Sequence, residues 1–220
     1  MRSRRALNYV SKRASADLAS SRGPCPAVGS GLSRYADPAF LSRFAGLGAR
    51  TVTDAEWTAL AGRIATTGML RNSSTIALPP TGRSAPVIGA STGIEPLFRL
   101  TDPHCPDFLH PAVMAILAEA GHDELVDEVT RHGRLAANAP VDDGVRDLLA
   151  VATQIPPSGH LAMVGAIQSC VDEAVAKTVN LPAAAVSADV YDVFRAAWEA
   201  GCKGITVYRD GSRDSQPKAL

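Results

Sequence analysis

The sequence predicts an α/β fold that is rich in helices and has few, short strands. Segments with helical periodicity alternate with short segments of β-branched and apolar residues along the 220-residue chain. Three short strands are too few to close a barrel or fill a sheet, so the pattern indicates part of a larger α/β fold. We assign residues 1–212 to one partial α/β domain and residues 213–220 to a polar, disordered tail.

The predicted helices follow from periodicity and from their end signals. Residues 6–19 carry apolar side chains at helical spacing between basic ones, and this abrupt start indicates entry in the middle of a fold. Thr53-x-x-Glu56 is a capping box that begins a helix over residues 54–66, which Gly68 ends. One further helix is predicted to begin at Pro111, and another includes residues 125–129. A third spans residues 144–152, and a long buried helix covers residues 159–179. The last predicted helix, over residues 188–200, follows the cap residue Ser187.

The predicted strands are short and lie between these helices. Residues 73–78 are rich in β-branched and apolar side chains, and Pro79-Pro80 ends this strand because proline cannot donate to a sheet. Two further strands are predicted at residues 97–100 and 205–208. The first of the three leads directly into a polar loop.

That polar loop has the composition of an anion-binding cradle. It brings together two hydroxyls, a glycine that permits unusual dihedral angles and close backbone approach, and a planar cation, in Thr81, Gly82, Arg83 and Ser84. A helical turn that starts near Ser84 would point free N–H groups at the same ligand, which suits a phosphate. An ordinary turn from strand to helix remains an open alternative on spacing alone.

The composition limits the possible partners and the cellular location. The 22 basic and 22 acidic residues balance, so no whole-chain field favours nucleic acid or an anionic membrane. No apolar run approaches the roughly 20 residues that span a bilayer, and the basic start lacks the apolar core of a signal peptide. We therefore expect a cytoplasmic protein without a membrane or nucleic-acid partner.

The cysteines and one cluster of possible ligands do not predict a metal site. The four cysteines at positions 25, 105, 170 and 202 form no C-x-x-C pair and are expected to be buried thiols rather than disulfides. Residues 102–107 combine His104 and Cys105 with two aspartates, but two prolines interrupt them and the spacing matches no zinc pattern. A loop is the preferred interpretation there.

Several ordered motifs give the chain a family resemblance. They are Arg71-Asn72, Pro80-Thr81-Gly82, Gly93-Ile94-Glu95-Pro96, and the segments 172–182 and 201–213. In this order they resemble the C-terminal part of the catalytic barrel of ribonucleotide reductases, and they are most similar to the adenosylcobalamin-dependent class II. The resemblance implies a ten-stranded α/β barrel, of which this chain supplies the later strands and helices.

The resemblance also implies a role for the polar loop. In the family this loop receives the phosphate of the substrate, with a pattern close to P-T-G-T-I-S. This chain has Arg83, Ser84 and Ala85 in the last three places, so a cation replaces one hydroxyl and another hydroxyl is lost. The implied phosphate contacts are Thr81, Gly82 and Ser84, while Arg83 either adds charge or blocks the loop.

The family's radical chemistry is expected to come from elsewhere. It needs a cysteine on a loop with the pattern N-x-C-x-E, and this sequence contains no such string. The nearest approach is Cys170-x-Asp172, which we interpret as part of the long helix with a structural cysteine, so no catalytic residue is assigned. We expect the C-terminal component of a split reductase that is inactive alone and works with a larger chain carrying the N-terminal barrel half, the catalytic cysteines and adenosylcobalamin, on a ribonucleotide substrate. The alternatives are a non-catalytic nucleotide-binding or interaction protein, or an inactive remnant, derived from that domain.

Overall fold

The computed structural model describes residues 2–31, 34–37, 39–40, 51–88, 91–102, 105 and 107–212. The chain divides into two compact units, each made of several chain segments. The first comprises Met1–Leu78, Met163–Val175 and Trp198–Gly204, and the second comprises Pro79–Ala162, Ala176–Ala197 and Ile205–Leu220. The predicted tail at residues 213–220 lies outside the described residues.

Helices dominate the described part of the chain. The α-helices are α1 (Arg2–Arg22), α2 (Pro26–Gly29), α3 (Asp54–Thr67), α4 (Ser84–Val87), α5 (Pro111–Glu119), α6 (Val126–His132), α7 (Asp143–Leu148), α8 (Pro157–Gln168) and α9 (Ser187–Glu199). Short 3₁₀ turns lie at Arg34–Ala36 and Asp123–Leu125, and the strands are β1 (Thr178–Leu181) and β2 (Thr206–Arg209).

Helix α3 in the first unit forms as its sequence predicts. The Thr53 hydroxyl accepts a hydrogen bond from the Glu56 N–H at 3.2 Å, and the Glu56 carboxylate accepts one from the Thr53 N–H at 2.8 Å. Gly68 ends the helix in the left-handed conformation, with φ of 63°. The buried face of α3 packs into a core that includes Trp57, Leu60, Ala61, Ile64 and Leu70.

Helix α1 buries polar and small side chains and exposes several of its large apolar ones. The apolar side chains that give the helix its periodicity include Leu7, Val10 and Leu18, which are 59%, 49% and 41% exposed. The side chains that the first unit buries are instead those of Asn8, Lys12, Ser15, Ala16 and Ala19. An amphipathic pattern therefore predicted the helix correctly, although its apolar face is not the face that this unit covers.

The long helix predicted at residues 159–179 is shorter in the structure, since α8 ends at Gln168. The side-chain amide of Gln168 donates to the Glu173 carbonyl at 2.9 Å. The N–H groups of Asp172 and Glu173 both donate to the Ile76 carbonyl at 3.1 Å. These tertiary hydrogen bonds replace the bonds that would have continued the helix, so the prediction from periodicity was wrong beyond Gln168.

The strand predicted at residues 73–78 is also absent as a regular strand. Its only ladder contact among the described residues is an isolated parallel bridge between Leu78 and Val175. Its backbone donors at Thr75 and Ile76 bond to the Asp172 carboxylate instead. A side chain therefore satisfies the polar backbone groups that a neighbouring strand was expected to satisfy.

The second unit contains a helical core and a short sheet. Helix α5 begins at Pro111 as predicted, and α6 contains the predicted residue Val129. Helix α7 is shorter than the predicted segment 144–152 because it ends at Leu148. Apolar side chains from these helices form one buried cluster, which includes Leu100, Val113, Leu117, Leu125, Val129, Val145 and Leu149.

The strand predicted at residues 97–100 is a bend. The Leu100 N–H donates to the Gly133 carbonyl, and the Leu100 carbonyl accepts from the His110 N–H, each at 2.8 Å. A single antiparallel bridge joins Thr101 to Leu109. Because the partners of this segment are loops, no ladder forms.

The sheet of the second unit has two parallel strands. Strand β1 pairs with β2 in the register Thr178 to Thr206 through Leu181 to Arg209. The prediction at residues 205–208 is confirmed for β2 with a shift of one residue, whereas β1 lies where the long helix was expected to end. Val179 and Leu181 of β1 are buried in a small cluster with Ala185 and Val193.

In the described part of the chain, no helix is long and apolar enough to cross a membrane.

Candidate functional site

The polar loop at residues 81–84 has an unusual backbone. Thr81 has a positive φ of 52°, and it is the only residue other than glycine with a positive φ in the described chain. A β-branched residue rarely adopts this conformation, which costs on the order of 1–3 kcal/mol. The sequence led us to expect the unusual dihedral at Gly82, so the structure corrects the position by one residue.

The helical turn expected near Ser84 is present but brief. Helix α4 comprises only Ser84–Val87, and the Ala85 N–H donates to the Thr81 carbonyl at 3.0 Å. A helix dipole is a sum over aligned peptide units, so a single turn contributes little of it. An anion at this loop would therefore depend on the loop's own hydroxyls, N–H groups and cation.

The predicted phosphate contacts are accessible. Arg83 and Ser84 are exposed, while Thr81 and Gly82 are half-buried. No atom lies within 4 Å of the position that a Cβ at Gly82 would take. Within the described residues, no hydrogen bond or ion pair occupies the side chain of Thr81, Arg83 or Ser84. The loop thus brings these groups together with open space around its glycine.

A buried ion pair that sequence reasoning did not predict lies in the first unit. Lys12 and Asp172 form a salt bridge, and the solvent exposure of each side chain is 0%. The Asp172 Oδ2 atom also accepts from the Thr75 N–H at 2.7 Å, the Thr75 hydroxyl at 3.0 Å and the Ile76 N–H at 3.1 Å. The pair therefore ties α1 to the segment that precedes the loop and to the turn after α8.

The charges of this pair set the protonation state of the carboxyl group. Burial raises the pKa of Asp172, but the Lys12 ammonium and the hydrogen bonds from Lys12, Tyr35 and Thr75 outweigh burial. The pKa of the Asp172 carboxyl therefore lies below its usual range. The carboxyl remains ionised at neutral pH, and its bonds to Lys12, Thr75 and Ile76 hold these segments together.

The cysteines do not form a redox pair in the structure. All four are free thiols, of which Cys105 is exposed and Cys170 is buried. Cys170 lies in the turn after α8 and not within a helix, which corrects the sequence interpretation. Burial raises the pKa of the Cys202 thiol, which keeps it protonated at neutral pH.

A metal centre is not evident in the described residues. They contain no group of three or more His, Cys, Asp and Glu side chains that could hold a metal ion. The sequence cluster at residues 102–107 is only partly described, since His104 lies outside the described residues.

Comparison with known proteins identifies a common domain. The family described as "Ribonucleotide reductase, barrel domain" matches residues 2–208. A vitamin B12-dependent ribonucleoside-diphosphate reductase of Mycobacterium tuberculosis is 37% identical over 161 residues, which cover 70% of this chain and 23% of that protein. The reductase of the same description from Thermoplasma acidophilum is 33% identical over 155 residues, covering 67% of this chain and 20% of that protein.

A solved structure shares the fold. The alpha subunit of the class Id ribonucleotide reductase of Actinobacillus ureae superposes with a TM-score of 0.57 over 72% of this chain and 32% of that chain, at 18% identity. At this identity the likeness concerns the fold alone. The chain spans less than a quarter of the length of the two curated relatives described above.

Proposed function

The chain belongs to the ribonucleotide reductase barrel-domain family, and from this premise we propose that it works as the C-terminal component of a cobalamin-dependent ribonucleotide reductase. In this role it completes the barrel and holds the phosphate of a ribonucleotide that is reduced to a deoxyribonucleotide. The observation that carries the proposal is the loop at residues 81–84, which is open and lies inside the family match over residues 2–208.

The loop offers a physical basis for binding phosphate. The hydroxyls of Thr81 and Ser84 and the N–H of Gly82 can donate to phosphate oxygens, and Arg83 adds a planar cation. Because the described residues make no competing side-chain bonds to these groups, a ligand has no internal partner to displace. In the proposed reaction these residues bind and orient the substrate and take no part in the radical step.

The radical step would use residues outside this sequence. None of the four cysteines stands in the N-x-C-x-E pattern, since Ala27, Asp107, Asp172 and Gly204 occupy the positions two residues after them. We therefore propose that a larger chain supplies the catalytic cysteines and the N-terminal part of the barrel. By this proposal the chain alone has no reductase activity.

The two cavities described below do not fit adenosylcobalamin, so we assign that cofactor to the larger chain. One described cavity of about 240 Å³ is lined by small and polar residues, including Gly165, Gln168 and Lys203. A second, of about 500 Å³, is lined by Arg99, Asp107, Asp127, Thr130 and Arg131. Neither of these two cavities offers the broad apolar wall that a macrocycle requires.

Two exposed apolar stripes support the existence of a partner. On α1 the stripe consists of Leu7, Val10 and Leu18, which the first unit leaves exposed. On α9 it consists of Tyr191 and Phe194 in the second unit, which are 64% and 49% exposed. Exposed large apolar side chains on one helix favour a surface that another protein segment covers. An autonomous nucleotide-binding protein would not need either stripe.

Affinity purification of the tagged chain from its own cells tests this function. Recovery of a larger protein with an N-x-C-x-E loop in about equal amount would support a split reductase. The pair should then reduce ribonucleoside diphosphates only when adenosylcobalamin is added. Recovery of the folded chain alone as a monomer would favour the nucleotide-binding alternative, and recovery with chaperones alone would favour a remnant.

A matched pair of variants sharpens this experiment. The Leu7→Ser/Val10→Ser variant removes two exposed apolar side chains from α1 and should abolish recovery of the larger protein. Met114→Ser is the control because Met114 is also exposed, at 48%, but lies on α5 outside both stripes. Equal recovery with all three proteins would show that the α1 stripe does not bind the partner.

A further inference from the structure

Glu95 and Lys177 form a second ion pair, which lies within the second unit. The Lys177 ammonium donates to Glu95 Oε2 at 2.5 Å, and the Thr178 N–H donates to Glu95 Oε1 at 2.6 Å. The Lys177 side chain is 1% exposed and that of Glu95 is 25% exposed. Both oxygens of the carboxylate are therefore bound to residues at the start of β1.

The start of β1, to which Glu95 is bound, is itself held by the sheet. The Lys177 ammonium also donates to the Thr178 carbonyl at 2.5 Å, and the Lys177 carbonyl accepts from the Thr206 N–H at 3.1 Å. Thr178 and Thr206 are the first paired residues of β1 and β2. Glu95 is thus fixed to the beginning of both strands.

On its other side Glu95 belongs to a tight turn. Its N–H donates to the Thr92 carbonyl at 3.0 Å. Gly93 within this turn has φ of 59°, and a Cβ at Gly93 would lie 3.3 Å from the Pro79 carbonyl oxygen and 3.7 Å from that of Pro80. The backbone of the turn therefore lies directly against the two prolines that precede Thr81.

We propose that Glu95 and Lys177 are positioning residues for the phosphate-binding loop. They fix the turn at residues 92–95 to the sheet, and the turn supports Pro79-Pro80, so the placement of residues 81–84 depends on an ion pair that does not touch the phosphate. Neither proline has an N–H that could tie it to a neighbouring strand, which makes the support from the turn more important. This inference rests on the proposed phosphate-binding function of the loop.

Nothing in the local sequence predicts this dependence. The two partners are 82 positions apart, and a motif such as Gly93-Ile94-Glu95-Pro96 does not indicate what its carboxylate binds. An unpaired ammonium that is 1% exposed is costly. Loss of the carboxylate charge at Glu95 should therefore displace the Lys177 side chain, and with it the turn.

The first measurement concerns the loop itself, without a ligand. In the full chain, NMR-detected hydrogen exchange of the Ala85 amide reports on the loop because this N–H donates to the Thr81 carbonyl. We expect Glu95→Gln and Lys177→Met to accelerate exchange of this amide by about tenfold, the change that the loss of one charged hydrogen bond produces. The Leu149 amide, which donates to the Val145 carbonyl in the same unit, should be unaffected.

The second measurement uses inorganic pyrophosphate as the probe, titrated calorimetrically into the full chain. Glu95→Gln and Lys177→Met should weaken binding by about tenfold, whereas Lys177→Arg, which retains the cation, should bind within about threefold of wild type. Glu119→Gln is the control, because it makes the same change of charge at an exposed acid on α5. Gly93→Ala is an independent variant that leaves the ion pair intact but disturbs the turn against Pro79, and it should also weaken binding.

The outcomes separate the two proposals. If wild type does not bind pyrophosphate, the phosphate-binding function of the loop is wrong, whatever the exchange rates are. If wild type binds and neither Glu95→Gln nor Gly93→Ala changes the affinity or the Ala85 exchange rate, the positioning role is wrong. Equal acceleration at Ala85 and Leu149 also overturns it, because the ion pair would then stabilise the whole unit rather than the loop.

Discussion

Replacement of either partner of the buried Lys12 and Asp172 pair should destabilise the first unit strongly. Removal of one member of a buried ion pair costs about 3–5 kcal/mol, because the other charge stays buried without compensation. After Lys12→Met, the Asp172 carboxylate keeps its bonds from the Thr75 N–H, the Thr75 hydroxyl and the Ile76 N–H. We therefore expect a loss near the lower limit, about 3 kcal/mol.

Substitution of the other partner, Asp172, should lower the free energy of unfolding further. After Asp172→Asn, the Lys12 ammonium loses its counter-ion and keeps the Thr75 hydroxyl at 2.5 Å and the face of the Tyr35 ring, whose centroid lies 4.9 Å away. These two neighbours are neutral and cannot replace the lost carboxylate charge, so the loss should approach about 5 kcal/mol. The order of the two variants is therefore part of the prediction.

The effect of Lys12→Met should also depend on pH in a defined direction. In wild type the pKa of Asp172 is lowered, so the stability linked to this group is present above the ordinary Asp pKa of about 3.9 and is lost as pH falls through the lowered value. Without Lys12, burial raises the pKa of Asp172 with less opposition. The variant can then bury the protonated Asp172 carboxyl at little cost. The difference in free energy of unfolding between wild type and Lys12→Met should therefore shrink as pH falls.

Urea unfolding followed by tryptophan fluorescence measures these losses in the first unit. In a Trp198→Phe background the signal comes from Trp57, which is 1% exposed, because the chain has only two tryptophans. Arg63→Met is the control, since Arg63 and Asp17 form an ion pair at 2.8 Å on the surface of the same unit. Exposed pairs contribute about 0–1 kcal/mol. If Lys12→Met and Asp172→Asn cost no more than this control, the reasoning about a desolvated pair is refuted.

Three further predictions concern other parts of the chain. Thr53→Ala removes the acceptor for the first turn of α3 and should lower the free energy of unfolding by about 1 kcal/mol, whereas Thr53→Ser should retain it; equal losses would contradict the capping role. Burial, with the nearby Lys177 cation, lowers the pKa of His160, so the stability linked to this group is present above about pH 6.5 and is lost as pH falls through the lowered value. His160→Gln should flatten that part of the profile of unfolding midpoint against pH, and an unchanged slope would argue against a buried neutral histidine. Arg83→Thr, which restores the family residue, should preserve or improve nucleotide affinity in the assembled enzyme, and a loss of affinity would mean that the arginine has become the phosphate ligand.

The features that the sequence predicted are those with local causes. The capping box of Thr53 and Glu56 spans three residues, and the C-cap at Gly68 needs only its own φ of 63°. The turn at Ser84 follows from the change of composition after two prolines. Each of these signals is complete within a few neighbouring residues, so it can be recognised without knowledge of the fold.

The features that the sequence missed have causes far away along the chain. The partner of Lys12 lies 160 positions further on, so a lysine among other basic residues on α1 gave no sign that it is buried. The end of α8 at Gln168 is set by bonds from Asp172 and Glu173 to Ile76, which periodicity cannot reveal. Which face of α1 is buried depends on the surfaces that pack against the helix.

The loop at residues 81–84 shows both situations at once. Its composition and its family pattern identified Thr81, Gly82, Arg83 and Ser84 as a group, and the structure leaves them accessible together. The close approach of Gly93 to Pro79 could not be predicted, because an approach of two backbone segments leaves no mark in the sequence other than a glycine.

The most direct test of the proposed function compares cytidine diphosphate with cytidine as ligands of the chain in the assembly in which it is isolated. If the loop binds phosphate, the diphosphate should bind more tightly than the nucleoside. The Thr81→Val/Ser84→Ala variant should weaken binding of the diphosphate by at least about tenfold and leave binding of cytidine unchanged, since two hydrogen bonds to a charged group are lost. Equal affinity of the wild-type and variant proteins for cytidine diphosphate would contradict the assignment of this loop to the substrate's phosphate.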